Sequence, residues 1–141
     1  MKILVLCTGN SCRSQMAHGW VSYLSSSAKV FSAGTKPAKK VNYFAIEAMK
    51  KFNIDISSNS INSVKDYEET DFNLVLTVCD QAKETCPVVF NTLESEHKSF
   101  PDPFEYKGTD EEKLDYYLEV CVGIKNWITE VLSERGLVEN Y

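Results

Sequence analysis

The stretch Met1-Lys2-Ile3-Leu4-Val5-Leu6-Cys7-Thr8-Gly9-Asn10-Ser11-Cys12-Arg13-Ser14 passes from an unbroken apolar run into small polar residues and then into a helical pattern. An apolar run of strand length without alternation is the mark of a strand covered on both faces, as in a parallel sheet. Met16, Ala17, Trp20, Val21 and Leu24 follow on one face of a helix that starts near Arg13. A strand that runs into a short loop of small residues and then a helix points successive backbone N–H groups into one concavity, and the helix adds its positive end. Such a concavity binds tetrahedral anions. Cys7 ends the strand, and the field that holds an anion there is expected to lower its thiol pKa below the free value of ~8.5, giving a thiolate nucleophile. Arg13 reaches back from the first helical turn with a planar fork suited to two anion oxygens. The chain has only two arginines, Arg13 and Arg135, and one of them stands at this spacing.

With 141 residues and 43% hydrophobic content, the chain can bury one core and not two, so residues 1–141 read as a single domain. No apolar stretch approaches the ~20 residues of a membrane span, and Lys2 ahead of Ile3–Leu6 is no signal peptide, so a cytoplasmic protein without a membrane partner is expected. A formal net charge of −5 argues against a nucleic-acid partner, because phosphate backbones attract basic surfaces. The cysteines Cys7, Cys12, Cys79, Cys86 and Cys121 are odd in number and unevenly placed, which suits catalytic or redox chemistry better than a disulfide framework. Cys7-x4-Cys12 and Cys79-x6-Cys86 form no pair of compact zinc knuckles, and His18 and His97 stand alone, so neither a metal nor another cofactor is expected.

Further along, Lys29 to Ala33 reads as a second strand ending at Gly34, Ala45, Ala48, Met49 and Phe52 mark a second helix, and Phe72 to Val78 form a third strand. The order β-α-β-α-β predicts a doubly wound α/β sheet with its site at the carboxyl ends of the strands, where Cys7 lies. Thr109-Asp110-Glu111-Glu112 is a capping box for a last helix whose apolar stripe runs from Leu114 through Tyr117, Leu118, Cys121, Ile124 and Ile128 to Val131, closed by Gly136. Cys121 on that stripe reads as a small buried hydrophobe. Gly34 to Lys40 is a basic loop containing Pro37, and Asp55 to Glu69 is polar and without period. The third strand delivers Cys79 to the same rim as Cys7, with Cys86 beyond Asp80–Thr85. From the residues alone, a ladder of sulfurs attacking one another and a pair of inert loop cysteines both stay open.

Leu4 to Ser14 resembles the phosphate loop of the low-molecular-weight protein tyrosine phosphatases and of the thioredoxin-coupled arsenate reductases built on the same fold. Leu76-Thr77-Val78-Cys79-Asp80-Gln81-Ala82, followed by Cys86-Pro87, resembles the redox-cysteine segment of the reductases, which the phosphatases lack. The similarity extends to Ser32-Ala33-Gly34 and to Ala45-Ile46-Glu47-Ala48-Met49. It implies a mainly parallel four-stranded sheet with helices on both faces, and an arsenate or phosphate-like oxyanion held by Thr8, Gly9, Asn10, Ser11, Cys12, Arg13 and Ser14. Cys7 is then the nucleophile, Ser14 hydrogen-bonds its thiolate, Asn10 steadies the loop, and Asp102 in Phe100-Pro101-Asp102-Pro103-Phe104 protonates the departing oxygen. The resemblance further implies that Cys79 attacks Cys7 to release arsenite, that Cys86 displaces Cys7, and that thioredoxin, or a glutaredoxin system, reduces the Cys79–Cys86 disulfide.

Two positions depart from the resembled pattern. Several members bind potassium through a carboxylate in the first helix where this chain has His18, which reads here as a polar surface or helix-boundary residue. The aromatic after the proline of the acid loop is closer to the phosphatases. The alternatives are thus a phosphotyrosine phosphatase acting through a Cys7 phosphocysteine, and a non-catalytic oxyanion-binding regulatory module in which Asp102 has no task.

Overall fold

The computed structural model describes residues 1–79 and 92–139. Four strands, β1 (Lys2–Cys7), β2 (Lys29–Gly34), β3 (Phe72–Thr77) and β4 (Thr92–His97), form one sheet in the order β2-β1-β3-β4. Every neighbouring pair is parallel. The described helices are α1 (Arg13–Leu24), α2 (Tyr43–Lys50) and α3 (Asp110–Ser133). Ile3, Leu4, Val5 and Leu6 are all fully buried, as their unbroken apolar run requires of a strand with paired neighbours and both faces covered.

The register separates the two faces. Val5 lies beside Ser32 and Leu76, whereas Leu4 lies beside Phe31 and Val75. Side chains alternate along a strand, so Ser32 and Phe31 point to opposite sides. His18 of α1 meets Ser32, while Tyr67 packs its ring edge-on to Phe31 at 5.4 Å. The face opposite α1 is therefore covered in part by the 3-10 turn Val64–Tyr67. That turn lies inside the polar stretch that showed no period, and it is held by a capping box between Ser63 and Asp66 rather than by an apolar stripe.

The remaining differences from the sequence reading are local. β4 carries Glu94, Ser95 and Glu96 at a sheet edge, so no apolar run announces it. α3 starts on the expected Thr109–Glu112 capping box. It closes at Gly136, φ +67°, where Leu137 N–H donates to Leu132 C=O and Gly136 N–H to Ser133 C=O. Cys121 is fully buried on the inner stripe of α3 against Met49 of α2.

This topology fixes where a site can form. The chain leaves β1 toward β2 on one side, while β3 pairs with β1 on the other, so the strand order reverses between the carboxyl ends of β1 and β3. Cys7 ends β1, and Cys79 follows β3 by two residues. Gly34 ends β2 directly beside Cys7. A methyl group on Gly34 would lie 2.5 Å from the Thr8 carbonyl oxygen and 2.9 Å from Asn10 N, and both of those atoms belong to backbone that cannot swing aside. Gly34→Ala is accordingly expected to cost ~1–3 kcal/mol of stability as an overpacked position, read as a lowered urea midpoint at unchanged slope; a midpoint equal to wild type would show that the loop yields freely.

Candidate active site

The loop from Cys7 to Cys12 is gripped from outside. Its carbonyl oxygens accept, in order, from Thr35 N (3.2 Å), Lys36 N (2.8 Å), Ala38 N (2.9 Å), Gln15 Nε2 (3.0 Å), Asn42 N (2.8 Å) and Met16 N (2.9 Å). No peptide bond among the described residues is cis, and a trans peptide points its N–H opposite to its C=O. The N–H groups that follow these carbonyls are thereby turned to the inside of the loop. Asn10 N–H shows the result directly, donating to Cys7 Sγ at 3.2 Å. The basic Gly34–Lys40 loop thus acts through its backbone amides, in addition to any charge it carries.

Cys7 is 2% exposed. Ser14 Oγ lies 2.9 Å from its sulfur. Asn10 Nδ2 donates to that same hydroxyl oxygen at 2.7 Å, which leaves the hydroxyl proton free to turn toward Cys7. Burial, the largest influence, pushes the Cys7 thiol up from its ordinary value, while Ser14, the Asn10 N–H and the Arg13 charge pull it down. The sequence reading expected the second set to win. Its omission was the desolvation of a sulfur at the end of a strand closed on both faces.

Arg13 is the first residue of α1, and its guanidinium donates from Nη1 to Phe100 C=O at 3.0 Å. Its Nη2 lies 3.7 Å from Asp102 Oδ2. The other carboxylate oxygen of Asp102 accepts from Phe104 N–H and caps the 3-10 turn Pro103–Glu105. A cavity of about 650 Å³ opens on Cys7, lined by the polar residues Thr8, Gly9, Ser11, Cys12, Arg13 and Asp102 and by the aromatic rings of Tyr43, Phe44, Phe104, Tyr106 and Tyr117. Lys39, Lys40 and Lys113 also line it and favour an anion. Burial pushes the Tyr117 hydroxyl up to about 12, so it stays protonated.

The structure brings Cys79 to this place as well. It is buried, and its sulfur lies 3.3 Å from Thr8 Oγ1, one residue from Cys7. Cys86 lies outside the described residues. Cys12, the N-cap of α1, is buried and its thiol is pushed well up by burial. Cys121 does not line the cavity. Among the described residues, no group of three or more His, Cys, Asp or Glu could hold a metal ion, and no helix is long and apolar enough to cross a membrane.

The profile of the low molecular weight phosphotyrosine protein phosphatases matches residues 2–137. This chain belongs to that family. Within it, the chain is 41% identical over 135 residues to an arsenate reductase of Bacillus subtilis, covering 95% of this chain and 96% of the relative. It is 45% identical over 119 residues to an arsenate reductase of Halalkalibacterium halodurans, covering 84% and 85%. The solved structure of an arsenate reductase in the oxidized state superposes with a TM-score of 0.81 at 23% identity, over 94% of this chain and 97% of that one. That structure supports the fold.

The contacts that several residues make with this phosphatase-family loop and with the strand beside it gave no signal in the sequence. Gln15 sits on α1 fully buried, with its amide bonded to Asn10 C=O and Ser60 C=O. Asn62 donates its N–H to Asn10 Oδ1 and its side chain to Ser32 C=O. His18, expected at the surface or a helix boundary, is only partly exposed, and its Nδ1 lies 2.9 Å from Ser32 Oγ. A pairing of such residues depends on chain crossings that no local pattern records.

Two measurements follow. Ser14→Ala removes the hydroxyl beside Cys7 and is expected to raise the alkylation midpoint of that thiol by about one pH unit; an unmoved midpoint would mean that Ser14 does not support the thiolate. Burial holds His18 below its ordinary value of 6.5. The folded chain then binds fewer protons than the unfolded chain between those two values, so this contribution is complete above ~6.5 and shrinks as pH falls toward the folded value. His18→Gln should flatten the melting temperature against pH in that acidic window, and parallel curves for the two proteins would count against it.

Proposed function

We propose that this chain reduces arsenate to arsenite through a relay of Cys7, Cys79 and Cys86, with thioredoxin as the external dithiol in the cytoplasm. The observation that carries the proposal is Cys79 at the end of β3, its sulfur against Thr8 beside Cys7, in a chain whose relatives are arsenate reductases. Simple phosphoryl transfer gives a second buried thiol at this rim no task.

In this reading arsenate lies against the inward N–H groups of Thr8 to Ser14, with Arg13 turned from Phe100 and Asp102 onto its oxygens. Charge that builds up in the displacement meets donors already in place. Cys7 attacks arsenic as the thiolate, which Ser14, the Asn10 N–H and the Arg13 charge favour against burial; Asp102 gives a proton to the oxygen that leaves as water, and a Cys7–arsenic(V) thioester forms. Cys79 then attacks the Cys7 sulfur. The sulfur–arsenic electron pair passes to arsenic, which leaves as arsenite, and a Cys7–Cys79 disulfide remains. Cys86 displaces Cys7 to give Cys79–Cys86, and the external dithiol takes up that disulfide by exchange. Thioredoxin rather than a glutaredoxin system is proposed because the relay ends in an intramolecular disulfide, the form that a dithiol donor reduces.

A phosphatase reading keeps one specific support, the aromatic rings among the cavity lining, which suit an aryl leaving group on a phosphate. The two readings separate cleanly. Cys7→Ser is expected to abolish both activities. Cys79→Ser and Cys86→Ser should leave weak aryl-phosphate hydrolysis in place and stop repeated arsenate turnover in an assay coupled to thioredoxin. The second variant should pass one turnover and trap a Cys7–Cys79 disulfide visible by mass spectrometry. Thioredoxin-dependent reduction at the wild-type rate in both serine variants would refute the relay and move phosphotyrosine hydrolysis to first place, and faster turnover with glutathione and glutaredoxin would replace the proposed donor.

A further inference from the structure

Asn10 holds a left-handed backbone, φ +54°, and is fully buried. That region is sparsely used by residues other than glycine, with asparagine the one that enters it most readily, and a buried residue there depends on what its peptide groups bond. The peptide that follows it, Asn10–Ser11, is also the exception in how the loop is gripped. Backbone amides hold the carbonyls of Cys7, Thr8, Gly9, Ser11 and Cys12, whereas the Asn10 carbonyl is held by a side chain, that of Gln15. A backbone clamp cannot be lost without moving a whole segment. A side-chain clamp can.

Gln15 is built for that task. It is fully buried on α1, and its carboxamide makes three bonds: Nε2 to Asn10 C=O at 3.0 Å, Nε2 to Ser60 C=O at 3.0 Å, and Oε1 from Asn59 Nδ2 at 3.1 Å. Both amide protons and the oxygen are thus engaged, so the carboxamide has one orientation and the Asn10 carbonyl has one place to go. We infer that Gln15 is a positioning residue for oxyanion binding: it locks the Asn10–Ser11 peptide plane, so that Ser11 N–H faces the anion while Asn10 Nδ2 stays on Ser14 and Asn10 N–H stays on Cys7. Without it, the plane is free to turn over and relieve the left-handed backbone. One anion donor would leave the cradle, and the support of the Cys7 thiolate would loosen with it. The inference rests on the loop being an oxyanion cradle and applies equally to arsenate and phosphate. It also makes the Asn59–Ser60 segment, which touches neither Cys7 nor the cavity, part of what sets oxyanion affinity.

The test uses the reduced full chain with inorganic phosphate as the probe, reading its protection of Cys7 from alkylation, the alkylation midpoint of Cys7 without phosphate, and the melting temperature. Gln15→Met keeps the length and apolar bulk of the side chain but has no donor. It should weaken phosphate protection about tenfold or more and raise the Cys7 midpoint, with arsenate KM raised more than kcat falls. Asn59→Ala removes only the contact on Oε1 from a partly exposed residue and should give the same signature at about threefold, so it decides between the two roles should the Met variant not fold. A lowered melting temperature with wild-type phosphate protection and an unmoved Cys7 midpoint, in either folded variant, would mean that Gln15 is structural and would overturn the inference. Absence of phosphate protection in the wild-type chain is a different outcome, since it would overturn the cradle itself.

Discussion

The carbonyls from Cys7 to Cys12 all point outward because each has a donor waiting there, and the rest of the site depends on that constraint. A loop of small polar residues has no apolar side chains to hold its shape, and its peptide planes would otherwise turn toward water. Here the chain after β2 runs back along the loop and supplies amides from Thr35, Lys36, Ala38 and Asn42. The approach is close enough that the strand feeding it must end in a glycine. What reaches the cavity is therefore a set of N–H groups fixed before any anion arrives, which is the condition under which such donors act without reorganising.

The parts of this arrangement that follow from local chemistry were readable in the sequence. The apolar run before Cys7, the small-residue loop, the start of α1 at Arg13 and the capping box at Thr109 each declare themselves within a few residues. The placement of Cys79 beside the loop followed from a second strand of the same character, because parallel neighbours end on the same rim. What was illegible had one of two causes. β4 is an edge strand whose exposed residues need not be apolar, so it leaves no run to read. Gln15, Asn62 and His18 meet partners from other crossings of the chain, and a glutamine or histidine on a helix looks the same whether it faces water or a carbonyl.

Cys7 shows how a local reading can have the right parts and the wrong balance. Donors, helix start and arginine were all expected and are all present around the sulfur. A run of residue types holds no measure of how completely a strand end is closed off from water, and for a group that must carry charge that closure weighs against every donor. Ser14 and Asn10 gain importance from it. In a dry pocket a hydroxyl oriented by an amide supports a thiolate more strongly than the same pair would in solvent.

The second arginine of the chain meets a different hazard. With the order β2-β1-β3-β4, β4 is the edge strand among the described residues, and a parallel strand open on one side is a template for another chain. Arg135, just past the end of α3, bonds Glu94 Oε2 from Nε at 3.1 Å and Nη2 at 2.6 Å, and its Nη1 lies 2.6 Å from Glu96 Oε2. Charged residues thus stand at alternate positions along the open edge, and two of them are tied to the body of the protein. An incoming strand would have to strip water and a guanidinium from these carboxylates before its backbone could add to the sheet. One arginine lines the cavity beside Cys7; the other ties the carboxylates of the edge strand to the body of the protein.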